Sequence, residues 1–440
     1  MMKITVAGVG YVGLVSAVGF AHHGHAVTAV DLDPIKIAGL NAGISPIFEP
    51  GLEELLQEQL TAKRIQFTTE GASAYSDADA IVIGVGTPEN EDGSANLTAV
   101  YQVAHEIGRS IQRDCLIIVK STVPVGTNDK VEAIVKEALR NTAKVHVISN
   151  PEFLAQGSAV YDTLHGSRII IGTESKTAEE KMRAIYANYG QPIVAVSRKS
   201  AELVKYASND FLALKISFVN EIANLCDILG ADVEEVTEGM GYDPRIGNSF
   251  LRAGIGYGGS CFPKDTKALH WLAEDHGFVL RTIEAAIKIN EKQKYTLIHK
   301  LRKEVPHFAG KKIAVLGLTF KPNTDDLREA PSIPNIKVLQ REGAIIQAYD
   351  PIAMDAVAAQ LGDDSIMKSS IEEALAGADA CLIFTEWEEI RQIYPATFTR
   401  LMANPHVLDG RNCFNKYEME LAGVAYQSIG RPLTKVRQLQ

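Results

Sequence analysis

The stretch KITVAGVGYVGLVSAVGFAHHGHAVTAVD, residues 3–31, decides the fold of the N-terminal part of the chain. It predicts a short apolar strand over Lys3–Ala7, a glycine-rich turn, an apolar helix over Leu14–His22 and a second strand over Ala26–Val30. Asp31 ends the second strand. The order strand, GxGxxG, helix, strand, acid is typical of a dinucleotide-binding βαβ unit. The stretch therefore predicts a Rossmann-like domain at this end of the chain.

The cofactor is indicated by the three glycines of the motif and by the acid that follows them. Gly8 permits the tight turn, Gly10 admits a pyrophosphate close to the backbone, and Gly13 lets the helix pack on the strand. Asp31 has the spacing of a ligand for the ribose 2′-hydroxyl, and its charge would repel a 2′-phosphate. We therefore expect NAD rather than NADP. Lys36 is a weak opposing signal that we interpret as a solvated helix residue at the adenosine end.

Further strands are predicted over Ala80–Val85, Leu116–Lys120 and Val145–Ser149, with helical stretches between them. Polar residues follow the carboxyl ends of these strands, where ligands bind in open parallel sheets. They are Thr87, Ser121, Thr122 and Glu152. Each hydroxyl could instead be a helix N-cap, and Glu152 could be a solvated loop carboxylate. Their shared position at strand ends favours a common crevice.

The middle of the chain predicts one long helix, Ser200 to Leu229, with an apolar stripe at helical spacing. We expect this stripe to be core or a dimer interface. Lys205 and Asn209 lie off the stripe, four residues apart, so they share another face of the helix. Glu202 and Glu221 are interpreted as ordinary solvated charges. The stripe comprises Leu203, Ala207, Phe211, Leu214, Phe218, Ile222, Leu225 and Leu229.

A glycine-rich segment, GIGYGGSCFPKDTK at residues 254–267, places a single cysteine among groups that could activate it. Cys261 follows Gly256, Gly258 and Gly259, which leave backbone N–H groups accessible, and Lys264 and Asp265 come shortly after it. These are the parts of an activated nucleophile. The alternative is a tight turn with an incidental buried cysteine. A second helical region is expected from about Thr266 to Lys303.

The C-terminal third repeats the pattern of the N-terminal stretch. KKIAVLGLTF, residues 311–320, mirrors KITVAGVGY, and AIIQAYDP, which contains Asp350, mirrors AVTAVDLDP. The motif GxGxxG is missing, but Lys321 and Arg328 could neutralise a pyrophosphate there. We predict an NAD-binding domain over 1–199, a central helical domain over 200–305 that carries dimerisation and the cysteine loop, and a second Rossmann-like domain over 306–440. The tail from Arg431 onward is expected to fray.

Composition narrows the class of protein. The 440 residues are 46% hydrophobic and 22% charged, and the net charge of −10 argues against nucleic acid as a partner. The five cysteines are scattered without a CxxC pair, so neither a disulfide framework nor a metal site is predicted. The N-terminus lacks a signal-peptide pattern, and no apolar run is long enough to span a membrane. We expect a soluble, cytoplasmic protein.

Taken together, the motifs resemble those of the UDP-glucose/GDP-mannose dehydrogenase family, and most closely its UDP-glucose branch. The resemblance implies two doubly wound parallel-sheet α/β domains joined by a central helical domain with a long helix, and it implies that the domain over 306–440 binds the UDP-sugar. It also implies NAD-dependent oxidation of UDP-glucose to UDP-glucuronate through a cysteine thiohemiacetal and thioester, with two NADH per turnover, by a homodimer or higher homo-oligomer. The motifs are GVGYVGL (8–14), STVPVGT (121–127), NPEFLAQGSAV (150–160), AELVKYASNDFLALKISFVNEI (201–222), GYGGSCFPKD (256–265), FKPNTDDLRE (320–329) and DGRN (409–412).

The family's functional residues carry over to matching positions of this sequence. The catalytic set implied by the resemblance is Cys261 as the thiol, Lys205 and Asn209 as oxyanion and substrate-hydroxyl ligands, Asp265 near the hydrolytic water, and Glu152 and Thr122 as general base and water-positioning residue. The NAD contacts are Gly8, Gly10, Tyr11, Val12, Gly13, Asp31, Lys36, Thr87, Ser121, Lys264 and Arg328. The UDP-sugar contacts are Glu152, Phe153, Leu154, Lys205, Asn209, Arg245, Phe250, Leu251, Gly254, Tyr257, Gly258, Lys321 and Arg411. Arg245 matches an arginine that the family donates across a subunit interface. Gln156 departs from the pattern, because a carboxylate stands there in some relatives.

Two other classes of protein stay open at this point. A two-electron hydroxy-acid or phosphogluconate-type dehydrogenase would need the lysine but no thiol, so Cys261 argues against it. A non-catalytic NAD- or nucleotide-sugar-binding protein would not need Cys261, Lys205, Asn209, Asp265 and Glu152 together.

Overall fold

The computed structural model describes residues 1–432, and the chain divides into two compact units. The first unit comprises Met1–Ser208 together with Trp271–His276. The second comprises Asn209–His270 and the described chain from Gly277 onward. The three-domain boundaries predicted at 199/200 and 305/306 stay a prediction.

The first unit is built on one sheet, and its strands start close to the residues predicted from the sequence. Across this sheet the strands run in the order 3-2-1-4-5-6-7-8, and the pairs are parallel except that between the sixth and seventh strands. The first six follow the doubly wound order of dinucleotide-binding folds, so the predicted fold class is confirmed. The strands are β1 (Lys3–Ala7), β2 (Ala26–Val30), β3 (Ile65–Thr68), β4 (Ala80–Ile83), β5 (Cys115–Val119), β6 (Val145–Ser149), β7 (Ile169–Gly172) and β8 (Ile193–Val196).

Both faces of this sheet are covered by helices, because alternate side chains of a strand point to opposite faces. In β5, Leu116 and Ile118 belong to one apolar core, while Ile117 and Val119 belong to the other. A continuous apolar strand such as CLIIV is therefore buried on both sides. The helices are α1 (Tyr11–His22), α2 (Pro34–Asn41), α3 (Leu52–Thr61), α4 (Gly71–Ser76), α5 (Thr98–Ser110), α6 (Thr127–Ala138), α7 (Ala159–His165) and α8 (Lys176–Ile185).

Helices follow in the middle of the chain. The long helix α9 spans Arg198–Leu229, two residues longer at its start than predicted. The helical region expected from Thr266 to Lys303 is confirmed, and Gly277, which adopts a left-handed conformation with φ of +71°, interrupts it. It consists of separate helices, the first of which begins directly after Cys261. The shorter helices in the middle of the chain are α10 (Val233–Gly241), which precedes this region, and α11 (Phe262–Asp275), α12 (Arg281–Gln293) and α13 (Thr296–Glu304) within it.

The second unit contains a parallel sheet that repeats the first on a smaller scale, as the sequence repeat predicts. Its strands are β9 (Lys312–Leu316), β10 (Ile345–Tyr349), β11 (Ala380–Ile383), β12 (His406–Asp409) and β13 (Ala425–Ser428), in the order β10-β9-β11-β12-β13. Ile313 and Val315 of β9 face one core, and Ala314 and Leu316 face the other. The remaining helices are α14 (Ser332–Arg341), α15 (Met354–Leu361), α16 (Ile371–Leu375), α17 (Glu388–Arg391), α18 (Ala396–Leu401) and α19 (Lys416–Leu421).

The end of the described chain is anchored. Arg431 is buried and donates hydrogen bonds to the Tyr426 hydroxyl and the Phe414 carbonyl, so the prediction that fraying begins at this residue is wrong. Residues 433–440 lie outside the described residues. Among residues 1–432, no helix combines the length and apolar character that crossing a membrane requires.

The orientation of α9 differs from the simplest reading of its apolar stripe. Leu203, Phe211, Phe218, Leu225 and Leu229 are exposed in the single chain, so the interpretation of the stripe as core is wrong. A dimer interface stays a prediction. Apolar and polar side chains share the buried face of the helix, and the polar ones are Glu202, Lys205, Asn209, Asp210, Ser217 and Asn220.

Glu202 shows why this face can be buried. It is only 2% exposed, and its carboxylate accepts hydrogen bonds from the backbone N–H of Gly126 at 2.7 Å and from the backbone N–H of Asn128 at 2.8 Å. The Asn128 amide donates a further bond at 2.6 Å. These contacts satisfy N–H groups at the start of α6 that have no partner within that helix. The interpretation of Glu202 as a solvated charge is therefore wrong, whereas Glu221 is exposed as expected.

We predict that Glu202→Ala lowers the free energy of unfolding by about 2–3 kcal/mol, because it leaves buried N–H donors without acceptors. Glu221→Ala removes the same side chain from the exposed side of the same helix, and should change stability by less than about 0.5 kcal/mol. Thermal unfolding of the two variants measures this difference. Equal melting temperatures would contradict the anchoring role of Glu202.

Candidate active site

The glycine turn after β1 has the shape of a pyrophosphate cradle. A Cβ on Gly13 would lie 1.9 Å from the carbonyl oxygen of Gly8, so this position admits only glycine where helix meets strand. Gly8 has φ of +89°, which side-chain-bearing residues rarely adopt. A Cβ on Gly10 would meet nothing within 4 Å, so the space beside this backbone is open. Gly10 is also the N-cap of α1, whose positive end favours a phosphate. The residues present fit a bound dinucleotide.

Asp31 stands at the end of β2, as the fingerprint predicts. Its carboxylate accepts hydrogen bonds from the backbone N–H of Val9 at 3.0 Å and of Asp33 at 3.2 Å. Lys36 pairs with it at 3.4 Å. The acid therefore stabilises the glycine turn, and its role as a ribose ligand stays a prediction. Asp33 is the N-cap of α2 and accepts from Ile35 and Lys36.

The other predicted cofactor residues of the first unit lie in the loops after β4 and β5. The Thr87 hydroxyl donates to the Thr122 carbonyl at 2.8 Å, and the Ser121 hydroxyl to the Val85 carbonyl at 2.6 Å. The structure thus brings these two loops together. Tyr11 and Val12 form the start of α1, and the Tyr11 hydroxyl contacts Glu49 and accepts from the Gly157 N–H.

The loop after β6 carries a buried ion pair. Glu152 Oε1 lies 2.9 Å from Lys205 Nζ, and both side chains are almost fully buried. Burial opposes ionisation of Glu152, but Lys205, the Leu154 N–H and Lys120 together outweigh it and hold the pKa of Glu152 below its usual range. Burial lowers the pKa of Lys120 to about 8, against an opposing effect of Glu152. The prediction that Glu152 and Lys205 belong to one site is consistent with this contact.

Aromatic and cationic groups lie beside this pair. The Arg168 guanidinium lies 3.8 Å from the centroid of the Phe153 ring, and Lys205 Nζ lies 5.6 Å from it. A cavity of about 250 Å³ is lined by Phe153, Leu154, Lys120 and Arg168 among other residues. Arg168 was not predicted, because a lone arginine before a strand gives no sequence signal.

In the second unit, Cys261 precedes α11 and its carbonyl oxygen accepts the first hydrogen bond of that helix, from the Asp265 N–H at 2.8 Å. The thiol therefore lies at the positive end of a helix, an environment that favours a thiolate or an oxyanion. Arg328 adds positive charge to these surroundings. Its pKa is raised chiefly by its hydrogen bonds to Asp326 and to a smaller extent by the charge of Cys261.

Asp265 is fully enclosed one turn into α11. Its Oδ2 accepts from the Asn209 amide at 2.7 Å, and its Oδ1 lies 2.6 Å from Lys264 Nζ. The structure therefore brings together four residues predicted from the sequence, Cys261, Lys264, Asp265 and Asn209.

The glycines before Cys261 are required mainly by packing. A Cβ on Gly258 would lie 2.4 Å from the Glu329 carbonyl oxygen, and one on Gly259 would lie 2.7 Å from the Phe320 ring. The motif that contains Phe320 and Glu329 thus packs on the cysteine loop. Gly254 packs against Gly410 and Arg411 in the same way.

Buried amides that sequence reasoning missed hold the backbone of this loop. Asn220 accepts from the Gly254 N–H at 2.8 Å, and Gln293 donates to the Gly254 carbonyl at 2.7 Å. Asn290 bonds both the N–H and the carbonyl of Tyr257, at 2.8 and 3.0 Å. These amides could be recognised in the sequence only as polar residues on the buried face of a helix. The sequence alone does not tell which face is buried.

The remaining predicted substrate residues of the second unit lie around this loop. Arg411 donates to the carbonyls of Phe384 and Phe320, both at 2.8 Å, and so connects β11 to the 320–329 segment. Lys321 Nζ lies 5.5 Å from the Phe320 ring. Leu251 and Tyr257 are buried, whereas Phe250 is partly exposed with φ of +64°.

Arg245 stands apart from these groups within the second unit. Its side chain is 87% exposed and pairs with Asp243 at 2.6 Å. Among residues 1–432, no group of three histidines, cysteines, aspartates or glutamates could hold a metal ion.

Comparison with known protein families is consistent with the two Rossmann-like sheets. Models of the UDP-glucose/GDP-mannose dehydrogenase family match its NAD binding domain to residues 2–190, its central domain to 199–292 and its UDP binding domain to 314–416. The chain belongs to this family, and it is an NAD-dependent oxidoreductase.

Several similar relatives have the name UDP-glucose dehydrogenase. The chain is 48% identical over 432 residues to UDP-glucose 6-dehydrogenase YwqF of Bacillus subtilis, with 98% of each chain covered. It is 45% identical over 439 residues to the UDP-glucose 6-dehydrogenase of Rhizobium meliloti, with 98% of this chain and 100% of the relative covered. The structure of a UDP-glucose dehydrogenase from Pyrobaculum islandicum superposes with a TM-score of 0.90 at 37% identity, covering 99% of this chain and 97% of the other.

We predict that Asp31→Asn raises the ratio of kcat/KM for NADP to that for NAD by about tenfold or more. The amide keeps an acceptor for the Val9 N–H but removes the charge that would repel a 2′-phosphate. Asp33→Asn is the matched control, since it removes a charge two residues away and keeps a good N-cap. Steady-state kinetics with both cofactors measure the ratio. Equal use of NAD and NADP by the unmodified protein would contradict the prediction.

Proposed function

We propose that the protein oxidises UDP-glucose to UDP-glucuronate through a covalent intermediate on Cys261. The observation that carries this proposal is the position of Cys261 at the N-terminus of α11, one turn before a buried Asp265 that is bonded to Asn209. The printed names of its relatives, UDP-glucose 6-dehydrogenases that match along almost the whole chain, support the choice of substrate.

The electron balance of the reaction explains the need for a thiol. Conversion of a primary alcohol to a carboxylate removes four electrons, as two hydrides. NAD, when bound, would accept one hydride at a time, so each turnover would use two NAD molecules. The aldehyde formed first is reactive and would escape if it were only bound. A cysteine retains it, because the thiolate adds to the carbonyl carbon and forms a C–S bond.

The covalent intermediate then passes through two oxyanions. The thiohemiacetal oxygen loses its proton, the second hydride leaves from the same carbon, and a thioester results. Water attacks the thioester carbon, the C–S bond breaks, and the thiolate is regenerated. Lys205 and Asn209 are suitable oxyanion donors, and one such donor is worth about 3–4 kcal/mol. Each is held by a carboxylate, Lys205 by Glu152 and Asn209 by Asp265, which fixes its orientation.

Glu152 is the candidate general base for the proton transfers. Its pKa below the usual range keeps it ionised near neutral pH, as a base must be. Thr122 lies in the loop held to Thr87 and is the candidate for positioning water. The five cysteines are all free thiols, which suits a reducing compartment such as the cytoplasm.

We predict that Cys261→Ser lowers turnover with UDP-glucose on the order of 10³-fold or more, because a serine at neutral pH is a far weaker nucleophile. Affinity for NAD, measured by binding titration, should be unchanged. Cys226→Ser, at a buried position on α9, is the control and should keep turnover. Glu152→Gln should cost less, about 10²–10⁴-fold.

Product analysis makes this prediction decisive. The unmodified enzyme should release two NADH for each UDP-glucuronate, and a carbonyl trap in the buffer should capture almost no aldehyde. Trapped aldehyde equal to NADH, or near-normal turnover of Cys261→Ser, would refute the covalent route and favour a two-electron dehydrogenase.

Assembly is the second part of the proposal. The exposed apolar side chains Phe211, Phe218 and Leu225 recur every seven residues along α9, so they form one stripe on the helix. A second copy of this chain is the proposed partner for the stripe. Arg245, exposed and in a loop that follows α10, is proposed to reach the partner's substrate.

We predict that a heterodimer of an Arg245→Ala subunit and a Cys261→Ala subunit regains part of the activity that each homodimer lacks. One of its two sites would then contain both an intact thiol and an intact arginine. Differently tagged subunits, co-purified through both tags, provide the sample for the assay. Absence of activity in such a heterodimer would argue against a shared site.

A further inference from the structure

A second buried acid lies next to Asn209 on α9. Asp210 is only 2% exposed, and neither of its carboxyl oxygens has a hydrogen-bond partner among the described residues. An ionised carboxylate without partners is strongly disfavoured in such a place. A protonated carboxyl carries no charge and can donate one hydrogen bond. The surroundings of Asp210 therefore favour the protonated form.

Among the charged groups around Asp210, the nearby carboxylate of Asp265 also favours the protonated form. Asp265 and Lys264 face it from α11, and Tyr257 faces it from the cysteine loop. Lys264 is bonded to Asp265, and its positive charge offsets only part of the rise in the pKa of Asp210. Burial, with a further contribution from the negative charge of Asp265, raises the pKa of Asp210 to about 8. Tyr257 stays a neutral phenol, because burial raises its pKa to about 12 and Asp210 and Glu291 add to the effect.

Asp265 is the group through which Asp210 can influence the reaction. Both Asp265 oxygens are engaged, by Asn209 and by Lys264, and its N–H is bonded to the carbonyl of Cys261. A second negative charge beside Asp265 would therefore be felt by both of its partners and at the start of α11. It would oppose the thiolate and the oxyanions that the proposed reaction forms there.

We propose that Asp210 is a positioning residue that keeps a proton next to Asp265 and so leaves the Cys261 end of α11 with a single buried carboxylate. When Asp210 gives up this proton to solvent base, the added charge slows turnover. The effect on turnover rests on the proposed function, whereas the retention of the proton does not.

Retention of the proton has a consequence for stability that does not depend on catalysis. The pKa of Asp210 in the folded chain lies above its unfolded value, so between these two values the folded state binds one more proton than the unfolded state. Stability must then fall as pH rises through this interval, and it must level off above the folded pKa. Asp210→Asn cannot ionise and lacks this decline.

The first experiment compares melting temperatures of the full-length protein from about pH 5 to about pH 9. The difference between Asp210→Asn and the unmodified protein should grow with pH up to about 8 and then stay constant. Glu221→Gln, an exposed acid on the same helix, is the control and should show a difference independent of pH. A difference for Asp210→Asn that does not change with pH would overturn the proposal. Asp210→Ala, which leaves a small cavity instead of an amide, should show the same pH dependence and replaces Asp210→Asn if that variant does not fold.

The second experiment measures kcat with UDP-glucose and NAD over the same pH range. The ratio of kcat for Asp210→Asn to kcat for the unmodified enzyme cancels ionisations that both share. It should be constant below about pH 7 and increase about tenfold by about pH 9. A constant ratio, with the melting-temperature difference still growing, would overturn the link to turnover but not the retained proton. If neither protein uses UDP-glucose, the proposed function fails, and the melting temperatures still decide whether Asp210 holds a proton.

Discussion

Burial of charged and amide side chains on one face of α9 is the constraint on which the candidate functional residues of each unit depend. Lys205 pairs with Glu152 in the first unit, and Asn209 bonds Asp265 in the second. Breaking a buried ion pair by removal of one partner costs about 3–5 kcal/mol, so each member fixes the other. The same contacts that stabilise the helix therefore hold the two proposed oxyanion donors in defined orientations.

In both sheets an aspartate stabilises the turn after the first strand, but its surroundings differ between the two. In the first, Asp31 accepts from the Val9 N–H at 3.0 Å and keeps a partly exposed carboxylate. In the second, Asp350 accepts from the Leu318 N–H at 2.7 Å, but it is completely buried and also bonds the Trp387 indole at 3.0 Å. Asp350 thus stabilises the turn without an open face for a ribose. The repeat preserves the turn and its supporting acid, while the complete GxGxxG motif occurs only in the first copy.

Sequence reasoning succeeded where a pattern has one structural solution. The fingerprint determined β1, the turn and β2, because only glycine can occupy positions as close as Gly13 to Gly8. It failed where the burial of a polar residue depends on tertiary contacts. Most of the apolar stripe of α9 is exposed in the single chain, and Glu202 is buried because Gly126 and Asn128 supply donors from the start of α6. Periodicity identifies the faces of a helix. It does not identify which face is buried when that face carries polar side chains.

The same limit explains why Asp210 could not be assigned from the sequence. On α9 it is one of several acids, and Glu202, Glu221 and Asp210 look alike as letters in a helical pattern. The structure separates them by the hydrogen bonds that each receives. Glu202 has three donors, Glu221 has solvent, and Asp210 has neither donors nor exposure among the described residues. Because ionisation depends on these surroundings rather than on residue type, the sequence alone does not indicate that Asp210 is the acid that keeps a proton.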